Sequence, residues 1–116
     1  MEFREKRVLV LVRSRPFGKI HNFEGWRAAV GMFGMDHIPT LLFMGDGVYV
    51  LLRGIDESPI RMFKSTYEGF EGTIYASMRS LRDRKIDPSE LSDGVRLADD
   101  KQVASLLCES DIVMTF

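Results

Sequence analysis

Few residues in this chain of 116 have side chains suited to covalent chemistry. The one cysteine is Cys108, the two histidines are His21 and His37, and Ser77 ends the apolar run TIYAS ahead of a basic stretch. No G-x-S-x-G motif surrounds Ser77, so the sequence does not predict a serine hydrolase. The histidines and the cysteine lack the spacing of metal ligands. We therefore expect no catalytic residue, no metal site and no cofactor.

Cys108 carries the only thiol, and its predicted position argues against reactivity. It falls in the last turn of a predicted helix that leads into the final strand, which puts it at the amino ends of the strands. The C-terminal end of a helix and the neighbouring Glu109 and Asp111 all disfavour a thiolate. The sequence predicts a structural, semi-buried cysteine, and an enzyme acting through Cys108 is the least favoured alternative.

Ligand-binding candidates follow from the places where strands end. In a parallel sheet, ligands bind outside the carboxyl ends of the strands. The loop after the first strand holds Arg15 and Lys19 just before a helix N-terminus, where cations and free amides favour an anion. The same loop is also typical of a solvated surface with ordinary charges, and it lacks the glycines of a phosphate loop. Asp46 follows the second predicted strand, and Ser77 ends the third. The predicted ligand-binding residues are therefore Arg15, Lys19, Asp46 and Ser77.

Strands and helices alternate along the whole chain. The first strand is a continuous apolar run, which is typical of a parallel sheet covered on both faces. The alternation predicts one small doubly wound, flavodoxin-like α/β domain over residues 1–116, with an about five-stranded parallel sheet. The predicted strands are Arg7–Val12, Thr40–Met44, Thr73–Ser77, Val95–Ala98 and Ile112–Phe116.

Local signals predict where the helices begin. Asn22 is expected to cap a helix that Gly34 closes, and residues 59–70 are expected to form another. Asp87 with Glu90 matches a capping box. The run Val48–Leu52 has two interpretations: the second arm of a β-hairpin, or a short helix capped by Asp46. We favour the helix, because the surrounding pattern is βα throughout.

The composition of the chain argues against a nucleic-acid-binding protein and against a membrane protein. The chain is 45% apolar and 28% charged, with a net charge of −1 and a pI near 6.1. A dedicated nucleic-acid-binding protein would carry a basic surplus, and no apolar run approaches the ~20 residues of a membrane span. The apolar run near the N-terminus is also too short for a signal peptide, and a single cysteine is typical of a reducing compartment. We expect a cytoplasmic protein that binds neither nucleic acid nor membrane directly.

Five segments together resemble a known family. VLVLVRSRPFG, NFEGWRAAVGMFG, LLFMGDGVYVLL, SLRDRKIDP and DIVMTF occur in the order seen in DsrE/DsrF-like proteins, most closely in the DsrF/TusC branch of sulfur-relay subunits. The resemblance covers nearly the whole chain. It implies a DsrE-type doubly wound fold, homo-oligomers or assemblies with related subunits, and transfer of persulfide sulfur between cysteines.

The resemblance also implies where the sulfur-carrying cysteine belongs. The family places it at the end of the third strand, and Ser77 takes that place here. A hydroxyl cannot form a persulfide, and Cys108 does not match the site. The resemblance therefore implies a non-catalytic or structural subunit of an intracellular sulfur-relay complex. The alternative is a small-ligand or anion-binding oligomeric module. Self-association is expected in both, with Phe17, Phe63, Phe70 and Tyr75 as aromatics beyond the need of one small core.

Overall fold

Strands and helices alternate from Arg7 onward in the computed structural model, which describes residues 3–116. Residues 1 and 2 of the predicted domain lie outside this range. The strands are β1 Arg7–Val12, β2 Ile38–Phe43, β3 Thr73–Ser77, β4 Val95–Ala98 and β5 Ile112–Thr115. The helices are α1 His21–Gly34, α2 Arg61–Gly69, α3 Met78–Asp83 and α4 Asp100–Glu109, with 3-10 helices at Gly45–Leu51 and Pro88–Glu90.

All five strands are parallel and lie in the order β4-β3-β2-β1-β5. The chain moves from β1 outward to β4 and then crosses, through α4, to the other side of β1. The predicted doubly wound α/β fold with a five-stranded parallel sheet is confirmed. The strand order differs from that of flavodoxin, which is 2-1-3-4-5.

Each face of the sheet has its own apolar core. Alternate residues of a strand point to opposite faces. Val8, Val10 and Val12 belong to a large core with Trp26 of α1 and Leu81 of α3. The opposite face is covered more thinly, and its buried residues are Leu9, Leu42, Ala98 and Val103 of α4. Helices α1 and α3 therefore lie on one face, and α4 lies on the other.

Tyr67 ties the large core to the backbone of the sheet. Its side chain is fully buried and packs edge-on against Trp26, with ring centroids 6.2 Å apart. The hydroxyl donates to the carbonyl of Thr73 at 2.6 Å and accepts the backbone N–H of Leu41 at 3.1 Å. This one group therefore satisfies backbone atoms of β2 and β3 where β3 begins.

The segment after β2 is helical, as favoured, and the alternative β-hairpin is wrong. Gly45–Leu51 forms a 3-10 helix that packs closely on β1: a Cβ atom on Gly47 would lie 2.3 Å from the carbonyl oxygen of Val12. A glycine is thus required at this contact. The capping box of Asp87 and Glu90 is also confirmed, at the start of the 3-10 helix Pro88–Glu90.

Two predicted caps are wrong. Asn22 lies inside α1, while Ile20 occupies the cap position without a side-chain cap bond. The Asn22 amide instead donates to the carbonyl of Ser14 at 2.9 Å, so this buried side chain holds the loop after β1. Asp46 does not cap the 3-10 helix. Its carboxylate is bound by Arg84, a partner 38 residues away that local sequence does not reveal.

Candidate functional site

The carboxyl ends of β3 and β4 are the expected ligand position in this fold. The chain leaves β3 toward α3 on one face and leaves β4 toward α4 on the other. Adjacent strands whose connections diverge in this way open a crevice between their loops. A groove of about 280 Å³ lies there. Its lining residues are Met78, Arg79, Arg82, Asp99, Asp100 and Lys101.

Ser77 lies at this edge but does not face solvent. It is the last residue of β3, only 1% exposed, and its Oγ accepts the backbone N–H of Ser80 at 3.2 Å. The hydroxyl therefore caps α3, whose first amides need such a partner. The structure therefore gives the Ser77 hydroxyl a structural role at the start of α3.

A hydrogen-bond network connects Ser77 to the loop after β2. The Ser80 hydroxyl accepts the N–H of Gly45 at 2.9 Å, and the Ser80 carbonyl accepts from Arg84 at 3.2 Å. Arg84 also donates twice to one oxygen of Asp46, at 2.9 and 3.1 Å. The structure thus brings together two of the predicted ligand-binding residues, Asp46 and Ser77, and both are already engaged within the chain.

An ion pair spans the crevice itself. The Arg79 guanidinium, at the start of α3, donates through two of its nitrogens to the carboxylate of Asp100, at the start of α4. This contact lowers the pKa of Asp100 and raises the pKa of Arg79. Both side chains are exposed, so the pair adds little to stability. Arg82 and Lys101 line the same groove and form no ion pair within residues 3–116.

Arg15 and Lys19 lie apart from Ser77. Arg15 donates from Nε to the carbonyl of Phe17 at 2.9 Å, which holds its side chain over its own loop. It lines a separate, mainly apolar groove of about 320 Å³ with Pro16, Phe17, Tyr49, Leu52 and Ile55. Lys19 is exposed in the same loop. The four predicted ligand-binding residues therefore do not form one site.

Cys108 is exposed, which corrects the prediction of a semi-buried cysteine. Helix α4 turns Val103 and Leu106 toward the sheet, and Cys108 lies on the solvent side of its last turn. Two residues after the helix, the Asp111 N–H donates to the carbonyl of Arg7, at the start of β1. The thiol is thus at the amino edge of the sheet, as predicted, and away from Ser77.

The cations Arg82 and Lys101 at the carboxyl edge allow electrostatic binding of an anion. No group of three or more His, Cys, Asp or Glu side chains within residues 3–116 is placed to hold a metal ion. Sequence reasoning missed Ser80, Arg84, Arg79 and Asp100. The contacts of Ser80 with Gly45 and of Arg84 with Asp46 join distant segments and have no local signal in the sequence. The pairing of Arg79 with Asp100 depends on the sheet order and has no local signal.

Comparison with known proteins places the chain in a family. The family model described as DsrE/DsrF-like matches residues 6–116. The chain belongs to the DsrE/DsrF-like family. Intracellular sulfur oxidation protein DsrF of Allochromatium vinosum is 29% identical over 131 aligned residues, which cover 96% of each chain.

Two solved structures show that this DsrE/DsrF-like chain shares their fold. The ychN protein of E. coli has a TM-score of 0.83 at 22% identity, covering 97% of this chain and 100% of its own. MTH1491 of Methanobacterium thermoautotrophicum, described as a protein of unknown function, has a TM-score of 0.68 at 17% identity and 90% coverage of both chains. Within residues 3–116, no helix is long and apolar enough to cross a membrane.

Proposed function

We propose that this chain is a non-catalytic subunit of an intracellular sulfur-relay complex, which builds the assembly without carrying persulfide sulfur itself. Membership in the DsrE/DsrF-like family supports the relay, as does the likeness to DsrF, which is named for intracellular sulfur oxidation. The observation that carries the rest of the proposal is Ser77. It stands where the resemblance places the carrier cysteine, and its buried hydroxyl caps α3.

The chemistry of persulfide transfer explains why Ser77 cannot substitute. An acceptor thiolate attacks the outer sulfur of the donor persulfide, a new sulfur–sulfur bond forms, and the donor leaves as a thiolate. A hydroxyl has no sulfur to form that bond. Cys108 has a thiol, but it lies at the opposite edge of the sheet, beside Glu109 and at a helix C-terminus. A partner docked at the Ser77 edge would not reach it.

The role left to such a subunit is structural. The network from Ser77 through Ser80 and Arg84 to Asp46 holds the loops after β2 and β3 in one arrangement. A rigid carboxyl edge of this kind would shape the site of a neighbouring subunit that does carry a cysteine. The partners we propose are further copies of this chain or related DsrE-like subunits, in the cytoplasm.

Native mass spectrometry of the protein taken from its own cell tests this function. It reports the number of subunits, the identity of partner subunits and any added sulfur in one measurement. We expect an assembly in which this chain has its unmodified mass. A lone monomer, or a chain that carries an additional sulfur atom stoichiometrically, would contradict the proposal.

A second candidate function is the binding of a small anion at the carboxyl edge, as part of an oligomeric module. The observation that favours it is the groove between β3 and β4, where Arg82 and Lys101 form no ion pair within residues 3–116. Titration with inorganic phosphate, followed by amide chemical shifts, tests it. Saturable shifts at Met78–Arg82 that disappear in Arg82→Gln would support this function, and shifts that survive that substitution would contradict it.

A further inference from the structure

Helices α1 and α2 end side by side, with apolar and acidic side chains exposed together. The rings of Phe33 and Phe70 stack with centroids 5.0 Å apart, which fixes the two ends relative to each other. Met35 and Phe70, the residues just after the two helices, are each 57% exposed. Asp36 and Glu71 follow them directly. We call Met35, Asp36, Phe70 and Glu71 the acidic end.

Local physical chemistry disfavours Asp36 and Glu71 on two counts. Each has a φ of 61°, a left-handed conformation that is usually taken by glycine after a helix. Each also places a negative charge at the negative end of a helix dipole. Neither forms an ion pair within residues 3–116. Residues that break local rules in this way indicate a role beyond the stability of the single chain.

The opposite end of α1 carries the complementary features. Phe17, Ile20 and Tyr49 are 49%, 61% and 38% exposed, and the 320 Å³ apolar groove opens among the residues of this region. Arg15 and Lys19 precede the helix, where its positive dipole disfavours cations. We call these five residues the basic end.

The two cations of the basic end have no carboxylate within salt-bridge distance among residues 3–116. The one carboxylate in the first turn of α1 is Glu24, and it already pairs with Arg27 at 3.2 Å. Arg15 and Lys19 form no ion pair within the described chain. Both ends of α1 therefore expose apolar side chains together with charges of the sign that the helix itself disfavours.

We propose that the basic end of one copy of this chain binds the acidic end of the next copy. Aromatic side chains with arginine are the composition that protein interfaces favour. Contact between the two ends would bury Phe17 and Tyr49 against Met35 and Phe70. It would also place cations beside carboxylates, which favours correct pairing of surfaces.

A second copy is the partner because the two complementary surfaces belong to the same chain. They are different surfaces, so the contact is head-to-tail and each copy uses both ends. This inference rests on the assembly-forming role proposed above and names the surfaces that carry it. A purified chain should therefore assemble without any other protein.

Charge reversal at each end tests the contact. One variant carries Arg15→Glu and Lys19→Glu, a second carries Asp36→Lys and Glu71→Lys, and a third carries all four substitutions. Because all four side chains are exposed, the fold should persist, which circular dichroism checks. Light scattering over a concentration series then gives the dissociation constant of the assembly.

Each one-ended variant should dissociate at a concentration at least about tenfold higher than wild type, because like charges then meet at the contact. The variant with all four substitutions should regain assembly, since its two reversed ends again carry opposite charges. An equal mixture of the two one-ended variants should also assemble, with the two chains alternating. A matched control, Lys85→Glu with Arg96→Glu, reverses two exposed cations elsewhere and should assemble as wild type does.

Several results would overturn this contact. A monomeric wild type at tens of micromolar would do so, and so would one-ended variants that assemble as wild type does. If neither the variant with all four substitutions nor the mixture regains assembly, charge complementarity between the ends is not what holds the copies together. Unchanged assembly in the variants would leave the proposed relay role intact, whereas persulfide on the wild-type chain would contradict that role and leave the contact intact.

Discussion

Replacing Tyr67 with phenylalanine should destabilise the protein while preserving its shape. The ring stays, so packing against Trp26 is retained, but the hydroxyl that serves Thr73 and Leu41 is lost. The Tyr67 side chain is fully buried, so loss of its hydroxyl leaves both backbone groups without this partner. A buried donor left without a partner costs about 1–3 kcal/mol. With the lost bond to Thr73 we expect a total of about 2–4 kcal/mol.

For a domain of this size that loss should lower the melting temperature by about 8–15 °C. Tyr75→Phe is the matched control, because the Tyr75 hydroxyl has only a long 3.5 Å contact with Gln102. Urea unfolding followed by circular dichroism measures both variants. A loss below about 0.5 kcal/mol in Tyr67→Phe, or an equal loss in the control, would refute the reasoning, since typical surface changes stay in that range.

The Tyr67 hydroxyl should also make the stability of the protein fall at alkaline pH. Burial raises the pKa of Tyr67 above its ordinary value of 10.0. The unfolded chain therefore releases this proton at lower pH than the folded chain does, so the stabilisation is complete below pH 10 and declines as the pH rises further. The decline should approach about 1.4 kcal/mol per pH unit from this one group. Tyr67→Phe should lack it, and identical alkaline slopes in the two proteins would contradict the assignment.

Three further outcomes follow from named contacts. Lys85→Gly should stabilise the protein by about 1 kcal/mol, because Lys85 has a φ of 55° that glycine adopts without strain; urea unfolding checks this. The pKa of Asp100 should lie below that of an ordinary aspartate in wild type and should rise in Arg79→Met, because the contact with Arg79 is the largest cause of the lowered pKa. The stabilising contact is lost as the pH falls through that lowered pKa, and carbon NMR titration checks this. The thiol of Ser77→Cys, made in a Cys108→Ser background, should react with iodoacetamide more slowly than wild-type Cys108, because position 77 is buried and position 108 is exposed.

Elements whose signals are local could be predicted well from sequence. The continuous apolar run of β1 and the capping box at Asp87 depend on neighbouring residues, and both occur as predicted. A helix at Val48–Leu52 is predicted against the β propensity of its residues, and the structure has a 3-10 helix at Gly45–Leu51. The βα pattern on either side decided that choice, and the close approach of Gly47 to Val12 shows why an extended arm does not form there.

Features set by tertiary partners were missed. Asn22 has the sequence signature of a helix cap, but its amide reaches back to Ser14 in the preceding loop. Asp46 also has the position of a helix cap in the sequence, but Arg84 binds its carboxylate across the sheet edge. The exposure of Cys108 depends on which side of α4 meets the thinly covered face. None of these follows from spacing alone, because each partner comes from another segment.

The sequence indicates the edge of the sheet where a crevice lies, but it does not indicate which side chains meet there. The carboxyl edge of the sheet was expected to hold the candidate site, and the crevice between β3 and β4 lies at that edge. Arg15 and Lys19 were grouped with Ser77 because all follow parallel strands. The strand order separates them, since β2 lies between β1 and β3. Sequence periodicity predicts strands but does not fix the order in which they pair.

Persulfide transfer to the purified protein tests the central proposal most directly. Wild type is incubated with a persulfide-loaded sulfurtransferase, and its intact mass is then measured beside that of Cys108→Ser. We expect no stoichiometric sulfur on wild type, because Ser77 has no thiol and Cys108 lies at the opposite edge of the sheet. Addition of one sulfur atom per wild-type chain that disappears in Cys108→Ser would contradict the account and make Cys108 a carrier.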